Sequence, residues 1–520
     1  MLVVTCRPAM RRLLAASAAS LLLSGCAVGP DYTAPAPPDS QRFTEHNLPA
    51  RTVSARVAGG EAQRFDAGRD IPGDWWSLFR SQQITDLVTL ALKANPDLAA
   101  ARATLREAQE NTRAAQGGLF PQLGFNAQTQ RQAAPTAEYG VSNGRTLTYS
   151  YNTYNVNVSY TLDLFGGVRR QIEQLDAQAE YQHWELLGAD LTLAANVVNA
   201  ALTEASLRAQ VATTEDIIRI AKEALALTQQ RFALGAVSQA DVLQQQALVD
   251  QQVATLPGLQ KQLQQQRNQL AVYLGGRPDS YAMATLQLDR LALPEDLPVS
   301  LPSKLVEQRP DIRAYAALLH AASAGVGVAI ANMLPQVTLS GAYGRGADTF
   351  ANLFTPQGIA WTVAASLTQP IFKGGTLNAE RRAALAALDV AAAQYSSTVN
   401  VAFQNVADAL VAIQRDADTL QAAVAAQKTA DASLAVAKTQ YQAGGGTYLN
   451  VLTAQQTAFS ARLTVVTART ARFSDTVALF QALGGGWWNR ADRDPTDHIQ
   501  TDHDPALADA SAAQSSGAQR

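Results

Sequence analysis

From Tyr154 to Leu164 apolar and polar residues alternate without a break. Tyr154, Val156, Val158, Tyr160, Leu162 and Leu164 fall on one register, and Asn155, Asn157, Ser159, Thr161 and Asp163 on the other. A period of two sends successive side chains to opposite faces, so the segment is predicted as a strand with one apolar and one polar face. Its predicted partner is Gln122–Gln130, where Leu123, Phe125 and Ala127 alternate with polar residues. The pattern recurs at Val337, Leu339, Gly341 and Tyr343, and again at Ile359, Trp361, Val363, Ala365 and Leu367. Strands of about ten residues with aromatic ends fit a membrane barrel, although a soluble sandwich has the same pattern strand by strand.

Between these strands the period becomes helical. Arg169–Leu234 and Thr376–Ala443 contain no proline and are dominated by Ala, Leu, Gln and Glu, all good helix formers. At 1.5 Å per residue each reaches ~100 Å. In the second, Val406, Leu410, Ile413, Ala417, Leu420 and Val424 step alternately by four and three, and the series runs on through Gln427, Asp431, Leu434, Lys438 and Tyr441. This is a coiled-coil seam, interrupted by polar residues near one end. A glycine turn follows each long helix, and return helices are predicted at Gln239–Tyr273 and Leu449–Leu483. Pro257 is expected to kink or break the first of these about midway.

The two halves are copies of one another. Asn95-Pro96-Asp97 matches Arg309-Pro310-Asp311, Phe120-Pro121-Gln122-Leu123 matches Leu334-Pro335-Gln336-Val337, and Leu274-Gly275-Gly276 matches Leu483-Gly484-Gly485. Conserved order at a near-constant offset describes a repeated unit of ~200 residues rather than several unrelated domains. The expected divisions are 1–25, a signal peptide; 26–74, a tether; 75–300, a first repeat with its strand pair at about 122–165; 301–489, a second repeat with its pair at about 336–372; and 490–520, a disordered polar tail. Four strands per chain cannot close a membrane barrel, since closed barrels begin at about eight. A shared barrel in a ring of identical subunits is the expected solution.

Composition narrows the class. Charged residues make up 16% of the 520, well below the roughly 25% of soluble domains, so much of the surface must meet something other than water. With 41 basic and 44 acidic residues there is no basic footprint for nucleic acid. Two cysteines and five histidines are too few for a disulfide framework or a structural zinc module, and no metal site is expected. His183 and His320 are read as surface or packing residues, and His498 and His503 as part of the solvated tail.

Arg7, Arg11 and Arg12 precede an apolar run that ends in Leu23-Ser24-Gly25-Cys26, the layout of a secretory signal too short to span a bilayer. Leu-Ser-Gly-Cys resembles the lipobox of bacterial lipoproteins. That resemblance implies cleavage after Gly25 and an S-diacylglycerol and N-palmitoyl group on Cys26. Ala27 in place of aspartate implies sorting to the outer membrane. Past residue 26 no apolar run long enough for a transmembrane helix is expected.

Taken together, these features resemble the TolC/OprM family of outer-membrane efflux channels, in its NodT-type lipoprotein branch. The landmarks are Cys26-Ala-Val-Gly-Pro-Asp-Tyr32, Trp75-Trp76-Ser-Leu-Phe79, Leu301-Pro-Ser-Lys-Leu305, Arg309-Pro-Asp-Ile-Arg313, Asn332-Met-Leu-Pro-Gln336 and Leu483-Gly-Gly-Gly-Trp-Trp488. They cover nearly all of residues 26–489. The resemblance implies a mixed α/β membrane protein, a homotrimer. Four strands per chain would make one 12-stranded outer-membrane β-barrel, and long coiled-coil helices a periplasmic α-barrel.

It also implies a periplasmic tip at the two helical turns, met by a periplasmic adaptor protein. The tip residues would be Arg231, Gly235, Ser238 and Asp241 in the first turn, and Tyr441, Gly444, Thr447 and Asn450 in the second. Glycine at 235 and 444 permits a left-handed turn, and Ser238 and Thr447 are placed to N-cap the next helix. Relatives commonly carry aspartates in the second turn at the positions of Asn450 or Thr453. This chain has neither carboxylate, which leaves Tyr441, Asn450 and Thr453 as the candidate aperture residues.

Nucleophile-elbow, phosphate-loop and His-Glu-x-x-His patterns are absent, so neither catalysis nor a cofactor beyond the covalent lipid is expected. The expected role is the outer-membrane duct of a tripartite efflux system. It would passively conduct substrates delivered by an adaptor and an inner-membrane pump of the RND type. The alternatives are a type I protein-secretion duct and, in a different class, a lipid-anchored coiled-coil scaffold with no pore.

Overall fold

The computed structural model describes residues 27–40, 42–46, 49–135, 146–279 and 286–490. The expected signal peptide, the lipid site Cys26, and the tail beyond Arg490 with His498 and His503 lie outside the described residues.

In chain order the strands are β1 Arg64–Ala67, β2 Gln122–Pro135, β3 Thr146–Leu162, β4 Asp296–Val299, β5 Gln336–Ala347 and β6 Ile359–Thr368. The helices are α1 Gln82–Ala94, α2 Pro96–Gln116, α3 Gly167–Ala233, α4 Gln239–Tyr273, α5 Pro302–Gln308, α6 Pro310–Ala331, α7 Thr376–Gln442 and α8 Tyr448–Ala482. Strands β2-β3-β5-β6 form one antiparallel sheet in that order. The short β1 and β4 pair in parallel, a second sheet that the alternation pattern did not announce.

The chain divides into two compact units. One comprises residues up to Pro35, Thr104–Gln182 and Tyr315–Tyr395; the other comprises Ala36–Ala103, His183–Ala314 and the chain from Ser396 onward. The first holds the four-stranded sheet. Strand β3 stops where Asp163 turns its carboxylate to the next helix, accepting from the backbone N–H of Val168 at 3.0 Å and of Arg169 at 3.1 Å. Leu164 therefore lies beyond the strand that the alternation predicted to include it. In the second unit the predicted seam is the buried stripe of α7, where Val406, Leu410, Ile413, Ala417 and Leu420 are all enclosed. Trp75, Phe79, Phe473 and Phe480 fill another part of that unit's core, with Trp75 5.5 Å from Phe480.

Two expectations need correction. Helix α4 runs unbroken through Pro257. Pro257 is exposed, as is Val253, whose carbonyl it deprives of a helical partner, and the helix continues on both sides. Helices α3 and α6 also contain windows apolar enough, by composition, for a membrane span, contrary to the reading of the sequence. Half of each window is buried within the protein, as in the core helices of many soluble folds.

The N-terminal segment is irregular but docked. In the first unit, the Arg170 guanidinium donates to the carbonyl of Val28 at 3.1 Å and to the carboxylates of Asp31 at 2.7 Å and Glu173 at 2.8 Å. Tyr32 stacks on His320 at 4.4 Å, and the His320 Nε2 lies 3.0 Å from Glu173. In the second unit, the buried Arg472 donates to the carbonyls of Gly59 and Glu61 at 3.0 and 2.8 Å.

Candidate functional site

The four-stranded sheet is the first element of the site. Cross-strand partners share a face, and the register places Leu123 opposite Val158, Phe125 opposite Val156, Val156 opposite Tyr343 and Tyr343 opposite Trp361. The apolar residues of all four strands thus form one continuous surface. Asn157, Ser159, Thr161, Thr338, Ser340, Thr362 and Ser366 occupy the other face. In a sandwich the apolar face would be covered; here Leu123 is 76% exposed, Trp361 70% and Val363 79%. Among the described residues, the outer edges of β2 and β6 carry no partner strand. An apolar surface of this extent on an open sheet marks contact with lipid or with another protein.

The second element is the pair of turns that join α3 to α4 and α7 to α8. Gly235 and Gly444 both adopt left-handed backbone, φ +71° and +76°, where a side chain would be strained. In the first turn, Ser238 and Asp241 form a reciprocal capping box. The Asp241 carboxylate accepts from the Ser238 backbone N–H at 3.0 Å, while Ser238 Oγ accepts from the Asp241 N–H at 3.2 Å. The second turn departs from this. Thr447 occupies the N-cap position, but its hydroxyl makes no capping bond. Its third helical position is Asn450, which lacks the charged acceptor that Asp241 supplies.

The two turns are tied together. The Arg231 guanidinium lies 5.4 Å from the centre of the Tyr441 ring, and Tyr441 packs at 5.2 Å against Tyr448. Tyr448 is buried. Its hydroxyl donates to Gln245 Oε1 at 2.7 Å and lies 3.0 Å from Thr228 Oγ1, while Gln245 Nε2 donates to the Ala221 carbonyl at 3.0 Å. Burial raises the Tyr448 phenol above its ordinary range, so it remains a neutral donor. Asn450 and Thr453 are exposed, with Thr453 Oγ1 donating locally to the Leu449 carbonyl at 3.0 Å. Asp431 is engaged by Arg462 at 2.8 Å.

Sequence reading missed Tyr448, Gln245 and Thr228. An aromatic residue directly after the Thr447 turn was a usable signal for Tyr448, whereas nothing local distinguishes Gln245 from the other glutamines of α4. It also missed a carboxylate pair, Asp416 on α7 and Asp475 on α8. Burial first, then the hydrogen bond and charge of Asp416, push Asp475 up to about 7. Among the described residues there is no cluster of three or more potential metal ligands.

Comparison with known proteins places these features in context. The profile of the family described as outer membrane efflux protein matches residues 87–276 and 301–485. The outer membrane protein OprJ of Pseudomonas aeruginosa is 31% identical over 471 residues, covering 90% of this chain and 94% of OprJ. The antibiotic efflux pump outer membrane protein ArpC of Pseudomonas putida is 28% identical over 485 residues, 92% of this chain and 96% of ArpC. Among solved structures, the outer-membrane channel OprN superposes with a TM-score of 0.79 at 27% identity, covering 89% of this chain and all of OprN.

Proposed function

The chain belongs to the outer membrane efflux protein family, and from that premise we propose that three copies close their sheets edge to edge into one 12-stranded barrel. The protein is the outer membrane component of an efflux pump. The observation that carries the barrel is the apolar face of the sheet, exposed along all four strands, with a polar face behind it and, among the described residues, no partner strand on either outer edge. Closure removes the edges, turns the apolar face to lipid and leaves the polar face around a water-filled lumen. A coiled-coil scaffold has no use for such a face.

In this reading α3, α4, α7 and α8 continue the lumen as a periplasmic α-barrel, and the Arg231–Asp241 and Tyr441–Asn450 turns meet a periplasmic adaptor. An inner-membrane pump of the RND type supplies energy and selectivity. The duct itself is passive, with neither a catalytic step nor a bound cofactor. Cys26 carries the lipid and anchors the chain in the outer membrane. Drug-sized molecules are the cargo class to test first, in line with the name of ArpC.

The test is to purify the protein from outer membranes and image single particles. A threefold hollow tube with a detergent belt at one end is expected. Solid rods without a belt would overturn the duct in favour of the anchored scaffold.

A further inference from the structure

The segment between β5 and β6, residues 348–358, is built by its own hydrogen bonds. The Asp348 carboxylate accepts from the Thr349 N–H at 2.8 Å and from Asn352 Nδ2 at 2.9 Å. Backbone bonds from Leu353 to Phe350, Thr355 to Asn352 and Gly358 to Thr355 close successive short turns. Which way this compact loop faces is decided by its contacts with the sheet.

At this end of the sheet the register that is apolar elsewhere carries Asn152, Tyr154 and Arg345, with Tyr154 directly opposite Arg345. The loop engages all three. Arg345 Nη1 donates to the carbonyls of Leu353 and Thr355, both at 3.1 Å. Asn152 Nδ2 donates to the carbonyls of Ala347 and Asp348 at 3.4 and 3.3 Å. The Phe350 ring meets Tyr154 edge to face at 6.4 Å. The loop therefore folds back over the apolar face instead of over the polar one. That leaves Phe350 and Phe354, 5.5 Å apart, 63% and 66% exposed on the same side as Trp361 and Val363.

We propose that residues 348–358 form an outward collar whose Phe350 and Phe354 rings sit in the headgroup–acyl boundary of the outer leaflet and set the depth of the barrel. The occupant is lipid, on three grounds. The rings lie over the polar end of the sheet's apolar face, Phe350 against Tyr154, and are exposed on the same side. The polar groups beneath them are already satisfied by loop carbonyls, as the edge of a hydrocarbon layer requires. The distance also fits: Val337 to Arg345 covers ~26 Å along the strand at 3.3 Å per residue, which a tilt of about 40° reduces to ~20 Å, close to the ~25 Å band at whose rims aromatic girdles occur.

This inference rests on the barrel reading, and the experiment separates the two. The only native cysteines are Cys6 and Cys26, so Phe350→Cys, Phe354→Cys and Val363→Cys in the full-length protein each offer a single new label site, with the unsubstituted protein as blank. Each is labelled with an environment-sensitive fluorophore and reconstituted in phospholipid nanodiscs. The lipids carry a nitroxide either beside the headgroup or near the chain end. Blue-shifted emission at 350 and 354, lost chiefly to the headgroup-side nitroxide, is expected, while the label at 363 responds chiefly to the deeper one. Phe354→Cys leaves the Phe350–Tyr154 contact intact and guards against misfolding at the other site. If 363 is quenched by lipid while 350 and 354 respond only to aqueous iodide, the collar is wrong and the barrel stands. Blue-shifted labels at 350 and 354 that no lipid quenches mean that a neighbouring subunit covers them, which also overturns the collar. Loss of lipid quenching at 363 overturns both.

Discussion

Tyr448 and Gln245, 203 positions apart in the chain, share a 2.7 Å hydrogen bond that joins the start of α8 to α4 beside the turns. Tyr448→Phe keeps the ring against Tyr441 but removes the donor, leaving the buried Gln245 carbonyl without it. A loss of about 1–3 kcal/mol is expected for such an orphaned group. Hydrogen exchange should accelerate around Gln245 and Tyr448 and stay unchanged in the sheet. Unaltered exchange there would show that the bond contributes nothing.

The two turns should answer differently to loss of their cap residues. Ser238→Ala breaks a complete capping box and should cost about 0.5–2 kcal/mol, read as fraying of the first turn of α4. Thr447→Ala removes a hydroxyl that makes no capping bond, so α8 should hardly respond. Equal effects at the two sites would contradict the geometry.

At the candidate aperture positions, Asn450 and Thr453 offer no carboxylate. Multivalent cations applied from the periplasmic side in single-channel recordings should block weakly, and Asn450→Asp should create strong block. Strong block of the unmodified channel would mean that another acidic ring lines the aperture.

The Asp416–Asp475 pair predicts a pH dependence. Burial and the neighbouring Asp416 push Asp475 up to about 7 in the folded protein, against 3.8 for an unperturbed aspartate, so between those values the folded state holds a proton that the unfolded state has released. Stability therefore falls as pH rises through this window and levels off above about 7. Asp475→Asn should flatten thermal unfolding between pH 5 and pH 8, raising the midpoint mainly at the alkaline end. A variant that keeps the native slope would assign the effect to other groups.

Pro257 is exposed within a continuous helix, where proline costs about 3 kcal/mol relative to alanine. Pro257→Ala should therefore raise protection of α4 around Leu256 in hydrogen exchange. If protection drops instead, the proline is compensated by an assembly contact.

Much of this architecture was legible because its signals are local. Alternation at Tyr154–Leu162 and around Trp361, the four-three stepping of Val406–Leu420, and the glycines at 235 and 444 each report backbone preference or facing within a few residues. The same locality explains the errors. A proline rule taken alone expected a kink or break in α4 at Pro257, where the helix in fact continues, and serine-threonine equivalence credited Thr447 with a cap that only Ser238 makes.

By itself, the sequence determined the long helices, the repeat and the amphipathic character of the four strands of the main sheet, since periodicity is a property of neighbouring residues. Only the tertiary structure decided which face of the sheet stays uncovered and which way the 348–358 loop folds. It alone paired Arg64 with Asp296 across 232 positions, Tyr448 with Gln245, and Asp416 with Asp475. Those outcomes depend on groups brought together by packing from distant parts of the chain, where one strand, glutamine or aspartate carries no local mark of the partner it will meet.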